Sequence, residues 1–416
     1  MATGLDGIKR IDEIDLKGKR VFLRLDLNVP LNDRQEITDE TRIQAALPTI
    51  RYVMEQGGKL VMASHLGRPK SNEDRQRYSL EPVAQRLSEL LNKEVILLED
   101  PGSDGPKGLL KGLQEDQVIL LENLRFHPDE TKNGRSLPAA ILDYTDVFIN
   151  DAFGACHRAH ASIVGLNPEV KEQGVGFLIA KEVEFLDKVL KNHEAPFVAI
   201  LGGAKVSDKI GVIESLIDQV DTFIIGGAMA YTFLAGQGVP VGKSLVEEGK
   251  KKFALDLIER VKARGKKLML PLDHVIVPDF KEKSQRKVTS GTGIAADWMA
   301  VDIGPQTIQS YQDELRSAKT IFWNGPMGVF EVEEYAKGTF AIAEAVAGAS
   351  AVSIIGGGDS ASAVAASGLT DKMTHISTGG GASLEYLQGD ALPGLEALRE
   401  FSKKKGSELP NLVTPE

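Results

Sequence analysis

The chain has 416 residues, 42% of them hydrophobic and 26% charged, with a formal net charge of −10 at pH 7 and a single cysteine. That length and composition fit a globular protein of two or three domains. The acidic balance argues against a general nucleic-acid or membrane-surface binder, which needs a basic face. One cysteine, Cys156, leaves no partner for an internal disulfide, so a reducing, cytoplasmic setting is expected. No apolar run is long enough to span a bilayer. The opening MATGLDGIKRIDEID holds no apolar signal region, and LPNLVTPE at the other end is not a peroxisomal-type address.

Along the chain, short aliphatic and β-branched runs recur, each ending in Gly, Asn, Asp or His before a helical pattern. The first set is VFLRLDLN (21–28), KLVMASHL (59–66), EVILLED (94–100), VILLENLRF (118–126) and DVFINDAF (146–153). EQGVGFLIAKEVEFLDKVLKN (172–192) is periodic enough for a long helix. The second set is FVAILGG (197–203), TFIIGG (222–227), KLMLPLDHVIV (267–277), VDIG (301–304), TIFWNGPMG (320–328), VSIIGGG (352–358) and HISTGGG (375–381). LPGLEALREFSKKKG (392–406) predicts a last helix. Continuous apolar strands alternating with helices indicate parallel sheets buried on both faces. A dozen strands are too many for one such sheet. The expected fold is therefore α/β: two doubly wound, Rossmann-like domains facing a cleft and joined by a long helix. The boundaries read as 1–172, helix 173–192 and 193–391, with the tail 392–416 packing back onto the first domain.

In doubly wound sheets ligands gather beyond the carboxyl ends of the strands, and the two halves differ there. The first half offers Asp26, Asn28, Arg42, His65, Arg68, Arg125 and Arg158. One arginine of this kind commonly pairs a surface carboxylate. Several on different strand exits, in an acidic protein, suit a small and highly anionic substrate. The second half offers glycine: Gly202-Gly203, Gly226-Gly227, Gly304, Gly325, Gly356 to Gly358 and Gly379 to Gly381. Glycine admits close backbone approach and bares amides at helix starts, where anions bind. Asp359, directly after one triple glycine, is placed to hold Mg²⁺ beside phosphates. Lys205 and Lys209, four apart at the start of an expected helix, would share a face.

GQGVPVGKS (236–244) imitates a P-loop, but Gly238 leaves three residues before Gly-Lys-Ser and Gly236 leaves five, where four are needed. It also follows a helical segment instead of a strand, so it reads as a turn. Cys156 with His157 and His160 makes a poor zinc site in an arginine-rich turn. No G-x-G-x-x-G follows a strand. Trp298 and Trp323 read as core or pocket-wall residues.

LDLNVPL, SHLGRP, LENLRFH, NDAFGACHRAHAS, LGGAKVSDKI, FWNGPMGVFE, GGGDSAS and STGGGASLE occur in this order. From about residue 5 onward, the chain resembles the phosphoglycerate kinase family. The resemblance implies reversible phosphoryl transfer between 1,3-bisphosphoglycerate and ADP, giving 3-phosphoglycerate and ATP with Mg²⁺, in a cytoplasmic monomer. It implies that Asp26, Leu27, Asn28, Arg42, His65, Leu66, Gly67, Arg68, Arg125 and Arg158 hold the acid. The nucleotide would take Gly203, Lys205, Lys209, Gly226, Gly227, Gly304, Asn324, Glu331 and Gly356, Gly357, Gly358, Asp359 and Ser360. Arg42, Lys205, Lys209, Gly379 and Gly380 would act on the group in flight. Two departures are Ala228, where the family commonly has a third glycine, and Cys156, where alanine is common.

The chemistry of such a transfer asks for positioning and charge neutralisation. The acyl phosphate is already activated and the attacking ADP oxygen already ionised, so no general base is needed and His65 reads as a ligand. Ligands on two domains imply closure before transfer. Two rival classes fit less well. A solute-binding protein would also have two α/β domains but has no use for glycine turns with a Mg²⁺ carboxylate. An ATP-dependent ligase would need a second acceptor and would release phosphate.

Overall fold

A computed structural model describes residues 4–99, 104–166 and 168–407. Asp100 of the expected third strand and residues 408–416 of the expected tail lie outside the described residues. The chain divides into two compact units, one running to Glu184 and resuming at Ala391, the other spanning Phe185–Asp390.

In the first unit, β1 (Arg20–Leu25), α1 (Thr41–Glu55), β2 (Lys59–Ala63), α2 (Glu81–Leu91), β3 (Val95–Leu98) and α3 (Asp104–Lys111) lead to β4 (Val118–Leu121). Then come α4 (Ser136–Leu142), β5 (Val147–Asp151), α5 (Ala161–Val164) and β6 (Glu172–Val175). The six strands form one parallel sheet in the order β3-β4-β2-β1-β5-β6. Val21, Phe22, Leu23, Leu25, Met62, Leu120 and Ile149 are fully buried, which explains why these strands read as unbroken apolar runs instead of alternating ones. Each such side chain contributes about 1.5–3 kcal/mol on burial. The sheet reverses direction at β1, with β2 on one side and β5 on the other. Loops leaving β1, β2, β4 and β5 therefore share one edge of the sheet.

The connecting helix is shorter than expected. Residues 172–175 pair with β5 as β6, Val175 N–H donates to Lys9 C=O at 2.9 Å, and α6 starts only at Phe177 and ends at Leu190. Gly174 and Gly176 explain the misreading. A Cβ on Gly174 would sit 2.5 Å from Lys9 O, and one on Gly176 2.3 Å from Asp151 Cγ. These glycines serve close packing of a strand, and helical periodicity begins after them. Asp151 then accepts Ile179 N–H at 3.0 Å in the first turn of α6.

The second unit begins with β7 (Phe197–Leu201), α7 (Ile210–Leu216), β8 (Thr222–Ile225), α8 (Met229–Gly236), α9 (Lys251–Ala263) and β9 (Lys267–Met269). β10 (His274–Val277), β11 (Lys287–Val288) and β12 (Met299–Ile303) follow, then α10 (Pro305–Leu315) and β13 (Thr320–Asn324). α11 (Lys337–Gly348), β14 (Val352–Gly356), α12 (Gly358–Ala366), β15 (His375–Ile376) and α13 (Gly381–Leu387) complete it. Six parallel strands run β15-β14-β13-β7-β8-β9. The direction of winding switches between β7 and β13, and ligand crevices of open α/β sheets lie at such a point.

Two expected strands are corrected here. The run 267–277 breaks at Leu270–Asp273, so that β9 stays in the parallel sheet while β10 joins a separate antiparallel sheet with β11 and β12. Proline at 271 supplies no backbone N–H for a continuing ladder. VDIG (301–304) likewise belongs to that small sheet, through β12.

The last helix, α14 (Pro393–Ser407), belongs to the first unit. Gly394 N–H donates to Cys156 C=O at 2.9 Å, and a Cβ at Gly394 would lie 3.0 Å from Cys156 Sγ. Arg399 donates to the carbonyls of Gly4 (2.8 Å) and Asp6 (3.1 Å).

Asp302 in β12 is 1% exposed and accepts N–H from Gly338 at 2.6 Å and from Ile303 at 2.9 Å. Burial pushes its carboxyl up to about 7 from 3.8. The folded chain thus keeps a proton that the unfolded chain gives up, and this contribution to stability is whole at low pH and lost as pH rises to about 7. In calorimetric melts the thermal midpoint of Asp302→Asn should fall less steeply than wild type between pH 4 and pH 7, roughly the window between the two values. Equal slopes would show that Asp302 does not titrate in that range.

Candidate functional site

The first cluster is built on the sheet edge shared by β1, β2, β4 and β5. Ser64 ties two exits together: its Oγ accepts Leu27 N–H at 2.8 Å and donates to His65 C=O at 3.1 Å. Asn28 Oδ1 accepts Gly67 N–H at 2.8 Å. Asn123 binds both sides of Leu66, accepting from its N–H at 3.2 Å and donating to its C=O at 2.7 Å, and also accepts Arg125 N–H at 3.0 Å. Glu122 anchors the start of α2 by accepting Leu80 N–H and the Ser79 hydroxyl at 2.8 and 2.7 Å. The SHLGRP and ENLRF segments thus hold each other in place. Gly67 is needed for its backbone: φ is +58°, and a Cβ would sit 2.2 Å from the Tyr78 ring.

On that frame Arg42 Nη1 pairs with Asp26 Oδ2 at 2.7 Å. Arg125 donates to Gly67 C=O at 2.5 Å, while its buried Nε has no hydrogen-bond partner among the described residues. Arg158 Nε donates to His157 Nε2 at 3.0 Å. A cavity of ≈ 370 Å³ is lined by Arg68, Pro69, Arg125, Thr131, Arg158 and His160. Burial, then Arg158, Arg24 and other neighbours, bring the Arg125 guanidinium down to about 10. His65 is held well below its ordinary 6.5 by burial first, then by Arg24, Arg125, Arg42 and Arg158. His160 is lowered to about 4 by burial and by Arg125, Arg24 and Arg158. Arg24 Nη2 contacts His65 Nδ1 at 3.3 Å. A guanidinium can only donate, so neutral His65 accepts there and carries its proton on Nε2.

Arg24, Glu130 and Ser162 of this cluster escaped the sequence reading, and His160 entered it only as a poor zinc ligand. Arg24 is fully buried inside β1, where its Nε donates to Ser162 Oγ at 2.7 Å. Glu130 and Ser162 are fully buried beside it, and His160 lines the cavity. Arg24 had a signal: an arginine inside the apolar run VFLRLDLN is costly to bury unless partnered. Glu130, in HPDETK, had none.

The second cluster is a lacework of strand exits around the β7/β13 switch. Gly202 N–H donates to Asn324 C=O (2.9 Å), Gly203 N–H to Pro326 C=O (3.0 Å), Gly226 N–H to Leu201 C=O (2.9 Å) and Gly227 N–H to Met327 C=O (3.0 Å). At Gly202 and Gly227 the backbones pack too closely for a side chain. A Cβ on Gly202 would lie 2.1 Å from Pro326 O, and one on Gly227, where φ is +64°, 2.5 Å from Gly203 N. Asn324 Nδ2 donates to Gly356 C=O at 2.6 Å, Lys209 Nζ donates to Asn324 Oδ1, and Gly325 N–H donates to Ser360 Oγ at 2.5 Å. Burial lowers Lys209, while Asp208 and Asp359 pull the other way. Gly357, with φ of +88°, precedes α12, whose first turn carries exposed Gly358 and Asp359 and buried Ser360. An exposed carboxylate beside helix N-terminal amides is a donor set that fits Mg²⁺ shared with phosphate oxygens, since that ion keeps few protein ligands.

Other expected nucleotide residues stand differently. Lys205 and Lys209 do not share a helix face: Ser207–Lys209 is a 3-10 turn, α7 starts at Ile210, and Lys205 is exposed before both. Gly379 N–H donates to Ser377 Oγ at 3.2 Å, so it is already engaged, and Gly380, with φ of +53°, precedes α13. Gly304 precedes α10, and a Cβ there would lie 2.3 Å from Asp273 Cγ. Glu331 is exposed in the turn after β13, and Ala228 is half-buried before α8. A broader depression of ≈ 730 Å³ along α10 is lined by Met269, Pro305, Gln306, Gln309, Ser310, Asp313 and Glu314. Its acids and amides suit no phosphate, so the lacework is the better phosphate site. No helix among the described residues is long and apolar enough to cross a membrane.

Neutral His160 and His65 give a direct check on this electrostatic picture. In ¹⁵N-edited NMR of the ligand-free chain, both imidazoles should keep neutral-form shifts down to about pH 5. A midpoint near the ordinary 6.5 for either would contradict the packing of arginines around them.

Comparison with known proteins follows the same lines. A family model described as phosphoglycerate kinase matches residues 11–390. A phosphoglycerate kinase of Bdellovibrio bacteriovorus is 59% identical over 399 residues, covering 96% of this chain and 99% of that one. One from an Anaeromyxobacter species is 54% identical over 392 residues, covering 94% and 99%. Among solved structures, phosphoglycerate kinase from Coxiella burnetii superposes with a TM-score of 0.84 at 39% identity, covering 94% of this chain and 99% of that one. The Pyrococcus horikoshii enzyme gives 0.80 at 35% identity, covering 95% and 99%.

Proposed function

The chain belongs to the phosphoglycerate kinase family, and we propose that its arginine cluster takes the phosphoglycerate while the glycine lacework takes MgADP or MgATP. The activity is that of the family: reversible transfer of the acyl phosphate of 1,3-bisphosphoglycerate to ADP, giving 3-phosphoglycerate and ATP in glycolysis. The observation that carries the assignment of the acid is the ≈ 370 Å³ cavity with three arginines in its wall and an unpartnered buried Nε on one of them. Unsatisfied buried donors are costly, and an anion that accepts from them recovers the cost.

Each group has a task that its chemistry allows. Arg68, Arg125 and Arg158 bind the phosphate remote from the reacting carboxyl. Asp26 and Asn28 hold the hydroxyl and carboxyl end, and neutral His65 donates from Nε2 without adding charge. The Leu27, Leu66 and Gly67 backbone shapes the pocket floor. On the nucleotide, Gly203, Gly226, Gly227 and Gly304 flank the base, Glu331 takes the ribose, and Asn324 with Gly356 to Ser360 line the phosphates. Mg²⁺ held by Asp359 would neutralise charge on those phosphates. Arg42, Lys205, Lys209, Gly379 and Gly380 stabilise the planar phosphoryl group. Lys209 must exchange Asn324 Oδ1 for a phosphate oxygen, Arg42 must share or leave Asp26, and Gly379 must release Ser377. Because the two substrates bind on different units, transfer calls for domain closure, which also keeps water away from the phosphoryl group. The reading has the chain acting as a cytoplasmic monomer, supported by its lone cysteine and by each substrate finding its ligands within one chain.

Purified protein with ATP, Mg²⁺ and 3-phosphoglycerate, coupled to NADH oxidation by glyceraldehyde-3-phosphate dehydrogenase, should give a signal that needs all three components. Phosphate release without the coupling enzyme would instead indicate a ligase-type reaction. Arg42→Ala should lower kcat by about 10²-fold or more, with nucleotide affinity kept. Near-normal turnover would remove Arg42 from the transfer step.

A further inference from the structure

Glu130 is an anion placed where the site otherwise collects cations. Its side chain is fully buried, on the loop before α4. Oε1 accepts the Ser162 hydroxyl at 2.7 Å and Oε2 accepts Ser162 N–H at 3.0 Å, while its backbone C=O accepts Ala161 N–H at 2.9 Å. Those bonds fix the carboxylate at the start of α5. They also hold Oε1 3.8 Å from Arg24 Nη2 and 3.8 Å from His160 Nδ1. Ser162 Oγ is shared, since it also accepts Arg24 Nε at 2.7 Å. Arg24 in turn touches His65, and His160 lines the arginine cavity. Asp26, the other buried acid close to Arg24, is already paired with Arg42.

We propose that Glu130 is a positioning residue of the phosphoglycerate site: its buried carboxylate orients Arg24 and offsets part of the charge of Arg24, Arg125 and Arg158, so that the anionic acid is held loosely enough to leave. This rests on the arginine cluster being the phosphoglycerate site. A carboxylate behind the cationic wall weakens the field on a bound anion, and at protein dielectrics one charge several ångströms away matters. A residue that only braced the fold would act in the opposite direction. Losing it would disorder the wall and weaken binding of the acid.

The sign of the effect is therefore the test. Steady-state kinetics with varied 3-phosphoglycerate and saturating MgATP should show the KM of Glu130→Gln falling by about three- to tenfold, with kcat falling alongside it and the KM for ATP unchanged. Glu130→Asp, which keeps the charge, should restore the wild-type KM. A KM for 3-phosphoglycerate that rises or stays unchanged in Glu130→Gln would overturn the proposal. Should Glu130→Gln not fold, Arg24→Met/Glu130→Gln removes both signs of charge and spares the core a lone buried ion. A KM within about threefold of wild type in that variant supports charge offset. A rise of tenfold or more overturns it, because Arg24 would then act on the acid without Glu130. Arg158→Met, measured in parallel, separates the two levels. It should raise the KM for the acid, and no change there would reject the arginine site itself.

Discussion

Several cations must be kept together at one sheet edge without a counter-ion of equal size. Two like charges about 6 Å apart repel by on the order of 2–3 kcal/mol at an effective dielectric near 20. The first unit manages this repulsion in three ways. The three histidines among the arginines, His65, His157 and His160, are all held below their ordinary value. Asp26 pairs Arg42, and the buried Glu130 sits behind Arg24. The remainder is left unpaired, and the buried Nε of Arg125 has no hydrogen-bond partner among the described residues. The parallel sheet makes this possible because β4, β2, β1 and β5 are neighbours, so residues a hundred positions apart in sequence leave from one edge.

The second unit solves a different problem with the same architecture. On the proposed reading a nucleotide would bring its own charge and a large planar base here, and the strand exits around β7 and β13 present backbone instead of side chains. Gly202 and Gly227 lie so close to the Pro326 carbonyl that a methyl group on either would displace the loops. Their hydrogen bonds make one rigid layer, and Asn324 ties that layer to Lys209 and to the loop ahead of α12. Rigidity at a phosphate site limits the reorganisation needed when charge shifts during transfer.

Most of the architecture was legible because buried parallel strands leave unbroken apolar runs and their ends are marked by glycine or polar residues. Legibility failed where tertiary pairing decided. Residues 172–175 look helical beside the periodic 177–190, yet glycines at 174 and 176 let them pack as an edge strand. The run 267–277 looks like one strand but turns at Pro271 into a second sheet. Lys205 and Lys209 are four apart in sequence, but the 3-10 turn between them removes the shared face. Arg24 left a trace, as a charge within an apolar strand. Glu130 left none: in a loop of His, Pro, Asp, Glu, Thr and Lys it looks solvated, and only the position of Ser162, thirty-two residues on, buries it.

The central claim is a division of labour, with the acid bound by the first unit and the nucleotide by the second. Hydrogen exchange followed by mass spectrometry, with saturating 3-phosphoglycerate alone and then MgADP alone, tests it directly. The account requires the acid to slow exchange around residues 26–28, 65–68, 123–130 and 156–162 and to leave 202–209 and 356–360 as they were, with MgADP giving the reverse pattern. Protection of the glycine loops by 3-phosphoglycerate alone, with the arginine loops unaffected, would contradict it.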